Sequence, residues 1–309
     1  MLRGENNMKQ SNVKSVMSWY LLLAIPLIGT LVFNIFPLAQ TVVTSFENVK
    51  GDFIGLMNYK ILFTNAEFKR DVINTLYMAV LGVVFNVPVA FIIANMMNNL
   101  PKGKNIYKVI FLLPMIMSMV TVATLFKYLF MPNESGVVNY LLSFLGINPK
   151  LWLNSPSSAR ESLVFMAIWK GIGYNIILFF AGLQSVSPEL YEAAEIDGAN
   201  ELHKWIYITI PSVKSTFIFV LITSSIASLK RFTEVYAISG ETGNPGGALG
   251  TIMLFIYKNS FSTLNFKDEG LAAAASVFLF VMILSVTIIN YIVTREKKDG
   301  SRKKRRRRK

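Results

Sequence analysis

Residues 192–211 read Glu-Ala-Ala-Glu-Ile-Asp-Gly-Ala-Asn-Glu-Leu-His-Lys-Trp-Ile-Tyr-Ile-Thr-Ile-Pro, a charged, helix-prone island between two long apolar runs. The rest of the composition gives that island its meaning. Of 309 residues, 53% are apolar and 16% charged, and the mean hydropathy is +0.46. This is too apolar for an ordinary soluble domain and too long for a single anchor, so the chain reads as an all-α, polytopic membrane protein. It has no cysteine and one histidine, His203. Disulfides and thiolate metal sites are thereby excluded, and one imidazole cannot build a metal cluster.

About 20 apolar residues cross ~30 Å of hydrocarbon, and six such runs can be counted: 19–44, 72–96, 109–130, 163–183, 217–238 and 271–293. The first follows a short basic segment holding Arg3, Lys9 and Lys14, but it runs past a signal-peptide core without a small-residue cleavage site. It is therefore expected to remain as the first span. Pro26, Pro37, Pro88 and Pro114 lie within the first three spans, where kinks are expected because packed membrane helices re-satisfy the freed carbonyls. Lys and Arg then set the orientation. The two ends and the connections around 102–108 and 204–214 carry 19 of them, whereas the alternating connections carry eight. Both termini and the island are thus expected in the cytoplasm. The outer connections carry turn residues instead of charge, notably Pro132, Gly136 and Gly146, and Gly240, Gly243, Pro245, Gly246 and Gly247.

This divides the chain into an N-terminal cytoplasmic segment 1–18, a six-helix membrane domain 19–294 containing the loop 185–213, and a basic tail 295–309. Eight consecutive Lys or Arg at 302–309 supply most of the formal charge of +13. At the cytoplasmic end of a membrane helix such a run is expected to meet anionic lipid, worth about 1 kcal/mol per residue, rather than nucleic acid.

Within the island, Pro188 suits a first helical turn, with Ser187 as its expected cap. Glu189, Glu192 and Glu195 recur at a spacing of three and give an acidic face. Gly198 permits a sharp change of direction before a second short helix through Leu202, Trp205 and Ile206. The expectation is helix, turn, helix, with an acidic surface and an apolar back. A connector of that length is longer than joining two spans requires.

Glu192, Ala193, Ala194, three residues, Gly198, nine residues, Ile208, one residue, Ile210 and Pro211 resemble the EAA signature of importer-type ABC transporter permeases, with Ile210 where leucine is usual. Further stretches resemble the carbohydrate-uptake branch, the maltose- and glycerol-phosphate-type permeases. They are Gly55-Leu56-Met57-Asn58-Tyr59, Asn74-Thr75, 111–114, Trp152-Leu153, 169–174, Ala181-Gly182-Leu183-Gln184 and 242–245, the last departing from the usual Gly-Gly-Pro by placing Asn244 before the proline. The resemblance implies the type I ABC importer permease fold in the cell membrane and a transport subunit with no chemistry of its own. It also implies pairing with a second, homologous permease, delivery of a sugar by an extracytoplasmic solute-binding protein, and docking of the island on a dimeric cytoplasmic ABC ATPase. Glu192 would stand at the ATPase contact and Gly198 at the bend, with Ala193, Ala194, Asp197 and Pro211 completing the coupling set. The chain has no G-x-x-x-x-G-K-[ST] phosphate loop, so ATP and Mg are expected on the partner ATPase and no cofactor on this chain.

Charges inside membrane spans mark functional sites by default. Four qualify here: Lys127, Lys170, Lys230 and Arg231. Lys127 lies near the end of its span and can snorkel. By residue count Lys170 lies roughly 12 Å deep in the fourth span and Arg231 roughly 10 Å deep in the fifth. Lys170, Gly171 and Tyr174 share one helix face, as do Ser224, Ser228 and Arg231. These six positions resemble those lining the sugar path in the maltose-type relatives. Hydroxyls and an aromatic ring suit a sugar, and a guanidinium suits a carboxylate. An acidic, uronate-containing oligosaccharide with Lys170 and Arg231 as counter-charges is one expectation. Pairing of Lys170 or Arg231 with an acidic residue of the partner permease, or of Glu234 with Lys230 or Arg231, is the other; a neutral sugar or a glycerol-phosphate-like solute is the alternative cargo. An ion-coupled secondary transporter would need acidic groups at mid-membrane, and an intramembrane enzyme a nucleophile, base or metal set. The spans offer neither.

Overall fold

The computed structural model describes residues 19–262 and 267–294. The N-terminal segment 1–18 and the basic tail, with its expected lipid contact, lie outside the described residues. The helices, in chain order, are α1 (Trp19–Thr44), α2 (Met57–Thr64), α3 (Ala66–Asn98), α4 (Lys104–Ile116), α5 (Met119–Leu129), α6 (Val137–Ser143), α7 (Ala159–Gln184), α8 (Pro188–Ile196), α9 (Glu201–Lys204), α10 (Lys214–Leu229), α11 (Thr233–Ser239), α12 (Ile252–Phe261) and α13 (Glu269–Thr294). Five stretches are long and apolar enough to cross a membrane, with α10 and α11 counted as one; α4 and α5 together meet the same measure but are bent by 96°, as a broken span or a re-entrant loop is.

Two spans depart from the continuous helices expected. The third breaks by 96° between α4 and α5. Pro114 cannot donate to the helical ladder and Met117 is extended, so the last carbonyls of α4 are freed at the bend. The fifth breaks at residues 230–232, which places Arg231 between two helices rather than within one. By contrast, α3 runs unbroken through Pro88 and starts well before the apolar run, because the Asn65 carboxamide oxygen accepts the Phe68 N–H at 3.0 Å and starts the helix across a charged turn.

Both π-turns sit just ahead of a proline. Leu31–Ile35 precedes Pro37 and Trp205–Thr209 precedes Pro211. In each, the N–H before the proline reaches back five residues, Phe36 to Leu31 and Ile210 to Trp205. The wider turn accommodates the missing donor and the bulk of the ring.

The body is built on α3 and α7, which run in the same direction, with α4 and α10 running back beside them. The buried rings of Phe91 and Phe179 meet edge to face at 5.4 Å. Glycines set the approach of neighbouring helices: a Cβ on Gly173 would lie 2.0 Å from the Phe111 carbonyl oxygen of α4, and one on Gly182 would lie 2.6 Å from Thr216 Oγ1 of α10. At the end of the bundle away from the island, buried Asn58 donates to the carbonyls of Ser45 and Glu47, fastening the end of α1 to α2. Residues Phe36–Thr44 of α1 lie along α13, yet no residue in the apolar window of α1 is buried.

Candidate functional site

The island folds as two short helices joined at a glycine. Pro188 occupies the first turn of α8, but the Ser187 side chain makes no capping bond. At the other end Ala199 N–H reaches the Ala194 carbonyl at 2.8 Å and Gly198 N–H that of Glu195 at 3.0 Å. This is a Schellman ending, and it requires the left-handed φ of +76° that Gly198 adopts. The Asn200 side chain then accepts the His203 N–H at 2.9 Å and starts α9. Lys204 bridges the two helices through Glu195 at 2.8 Å and Glu201 at 2.5 Å. Its hydrogen bonds to Glu195 and then Glu201 hold its ammonium charged above the usual lysine range.

The expected acidic surface is there, with Glu189, Glu192, Glu195 and Asp197 exposed, but the expected apolar back is not what this geometry gives. Glu195 is committed to Lys204, whereas Glu192, Ala193, Asp197 and Gly198 are exposed, Ala194 is half-buried and Pro211 is exposed. Of the apolar residues Trp205 and Ile210 pack against the core, Trp205 stacking on Phe91 at 5.8 Å. Ile196 is 87% exposed, and Leu190, Leu202 and Tyr207 are exposed beside it. A Cβ on Gly198 would meet nothing within 4 Å, so the bend itself faces open space. A cavity of 1180 Å³ separates the island from the ends of α3 and α4, lined by Asn95, Asn98, Lys104, Glu195 and Trp205 among others.

A second cavity, of 390 Å³, opens between α3, α7 and α10. Gly171, Tyr174, Ser224, Ser228 and Arg231 all line it. Arg231 is 6% exposed and donates from Nη1 to Glu234 at 3.1 Å, while its Nε has no partner among the described residues. Room for the guanidinium comes from α3: a Cβ on Gly82 would lie 3.0 Å from Ser228 Oγ and 3.3 Å from Arg231 Nη2. Asn175 Nδ2 donates to Asn86 Oδ1 at 2.6 Å and to Ser224 Oγ at 3.0 Å, tying the three helices together at the cavity floor. Neither asparagine was expected at the site. Both lie within apolar runs, so extending the search from charges to amides finds them.

Lys170 is not brought to Arg231. Its ammonium donates to the Met115 carbonyl at 2.9 Å, on one of the groups freed by the break after α4. A bare carbonyl in an apolar setting draws the nearest donor, which is why depth counted along the helix did not predict direction. Lys127 likewise donates to a backbone carbonyl, that of Ala237, at 3.1 Å. Exposed Lys230 ends α10. Replacing Lys170 by Met is expected to destabilise the chain by about 1–3 kcal/mol and to lower uptake of charged and neutral solutes alike, with Lys170→Arg restoring both. Thermal unfolding in detergent and paired uptake assays measure this.

Five apolar spans and a bent sixth, a cavity among three of them and an exposed island at one end are the features of a membrane transport permease. The model of the binding-protein-dependent transport system inner membrane component family matches residues 86–299, and the chain belongs to that family, the ABC importer permeases, in its carbohydrate-uptake branch. It is 32% identical over 275 residues to the arabinooligosaccharides transport system permease protein AraP of Bacillus subtilis (strain 168), covering 88% of this chain and 86% of that one. Among solved structures it resembles a bacterial ABC transporter involved in the import of the acidic polysaccharide alginate, with TM-score 0.81, 26% identity and coverage of 94% of this chain and 99% of that one. A bacterial alginate ABC transporter in complex with an alginate pentasaccharide-bound periplasmic protein matches at TM-score 0.80 and 26% identity, covering 92% and 96%.

Proposed function

We propose that the chain is one of two homologous permease subunits in an ATP-driven importer of oligosaccharides. A solute-binding protein delivers the sugar on the side away from the island, and a cytoplasmic ATPase dimer, carrying ATP and Mg, docks on the island. The observation that carries the saccharide reading is the cavity at Arg231. It combines the Tyr174 ring, the Ser224 and Ser228 hydroxyls, two amides and a guanidinium–carboxylate pair, a set able to donate to and accept from several sugar hydroxyls. The exposed apolar patch around Glu192 and Gly198 supports the ATPase reading, since it has no partner within the chain's own described residues.

Charge decides between neutral and acidic cargo. With Lys170 committed elsewhere and Glu234 paired to Arg231, the cavity has no formal net charge, which favours a neutral oligosaccharide. The unpaired Arg231 Nε and the alginate importers among the relatives support an acidic one. The double variant Arg231→Gln with Glu234→Gln removes both charges and keeps hydrogen-bonding groups. In proteoliposomes it is expected to keep uptake of neutral arabino-oligosaccharides within about threefold of wild type, the cost of one weakened hydrogen bond. A selective collapse of alginate-oligosaccharide uptake would establish the acidic reading instead.

A further inference from the structure

A line of aromatic rings begins one residue beyond Arg231, the residue that closes the cavity between α3, α7 and α10. Phe232 follows Arg231 directly, and its ring lies 5.5 Å from Tyr236 and 5.1 Å from Tyr257. Tyr236 and Tyr257 are 5.1 Å apart, and Tyr257 is 5.7 Å from Phe261. Helices α11 and α12, which carry these rings, both begin beside Arg231. Thr233 opens α11, and Thr251, the cap of α12, donates its hydroxyl to the Arg231 carbonyl at 3.2 Å. At their far ends Ser262 donates to Glu241. The two helices therefore run side by side, and the rings form one ladder from the residue next to Arg231 toward the end of the bundle opposite the island.

The ladder differs from the aromatic packing of the core. Phe68, Phe255, Phe91 and Phe179 are each 0–3% exposed, whereas the ladder passes from Phe232, half-buried against the core, through half-buried Tyr257 to Tyr236 and Phe261, which are 38% and 66% exposed. Nor does it resemble an interfacial belt, in which aromatic rings gather at one depth around the perimeter. These rings follow one another in tilted or edge-on contact along α11 and α12, starting at the residue after Arg231.

We propose that Phe232, Tyr236, Tyr257 and Phe261 form a saccharide track, on which the apolar faces of successive sugar rings stack as an oligosaccharide enters the Arg231 cavity. Aromatic faces attract the C–H faces of a sugar without fixing its position, so a ladder lets a chain advance one ring at a time. The tyrosine hydroxyls, 3.5 Å apart, offer exchangeable partners to the sugar hydroxyls alongside. The proposal rests on the saccharide reading of the cavity and extends it outward by several rings.

The test uses the complete transporter, with its binding protein and ATPase, in proteoliposomes. The probes are size series of arabino-oligosaccharides and alginate oligosaccharides, from monomer to pentamer. Tyr236→Leu, Tyr257→Leu and Phe261→Leu are each expected to slow uptake of the longest imported oligomers about threefold to tenfold at limiting concentration, the worth of one aromatic contact. The monomers are expected to change far less, and Tyr236→Phe and Tyr257→Phe to lose less of the long-oligomer uptake than their leucine counterparts, because the stacking face is kept and only the hydroxyl contact goes. An equal loss at every length, or no loss at any length, overturns the track while leaving the saccharide reading intact. If the wild-type transporter imports no member of either series, the saccharide reading itself falls, and the track with it.

Discussion

Gly198→Trp is expected to leave the chain inserted in the membrane but to stop ATP-driven transport. The local cost is the left-handed backbone, about 1–2 kcal/mol for a residue with a Cβ, and no neighbour within 4 Å adds to it. The apolar spans that drive insertion are untouched. The new side chain would project instead into the space where the partner ATPase is proposed to sit. Glu192→Lys is expected to act in the same way by reversing charge at that exposed face. A disrupted charged contact in a docked interface costs roughly 2–5 kcal/mol, a loss of about 30-fold to several thousandfold. Sugar uptake and membrane-fraction abundance measured on the same preparation separate the two effects. Loss of abundance in step with uptake would mean that the loop serves folding instead.

The second large effect concerns stability. Gly173→Ala would place a Cβ 2.0 Å from the Phe111 carbonyl oxygen and 2.7 Å from its carbon. These are backbone atoms of a packed helix and cannot rotate away, so α4 and α7 must separate. Overpacking of this kind costs about 3 kcal/mol or more. Gly171, two residues earlier on the same helix, has nothing within 4 Å of its Cβ position, and Gly171→Ala is expected to change stability by less than about 0.5 kcal/mol. Comparing the two variants' thermal unfolding in detergent isolates the contact from any general intolerance of the helix. Equal behaviour would contradict the close approach of α4 to α7.

Much of this architecture was legible in the sequence because membrane spans and helix endings have local causes. Five of the six apolar runs stand as continuous spans and the sixth as a bent pair, and Gly198 announces a helix ending by its residue type alone. What the sequence concealed depends on partners far along the chain. Pro114 signals a kink, but whether the third span bends slightly or by 96° depends on what receives the freed carbonyls, and Lys170 receives one. Its ammonium therefore belongs to the bend rather than the cavity. Arg231 reads as mid-helix because nothing in Leu229-Lys230-Arg231-Phe232 marks a break; its carbonyl is instead taken by Thr251, 20 residues on. Helix α12 reads as part of an outer connection because its ten residues are too few to span, yet Phe255 and Ile252 bury against α13. The island's apolar residues were expected to face inward, since an isolated domain would bury them. In a subunit of a larger machine they stay exposed.

The central claim is that the island is the face presented to the ATPase. Because the chain contains no cysteine, Ile196→Cys introduces a single thiol on the most exposed apolar position of that face. Treatment of the assembled transporter with a short thiol-to-amine crosslinker is predicted to join this chain to the ATPase subunit, with a yield that changes when ATP is bound. Crosslinking only to the second permease, or none to the ATPase in an assembled complex, would contradict the account.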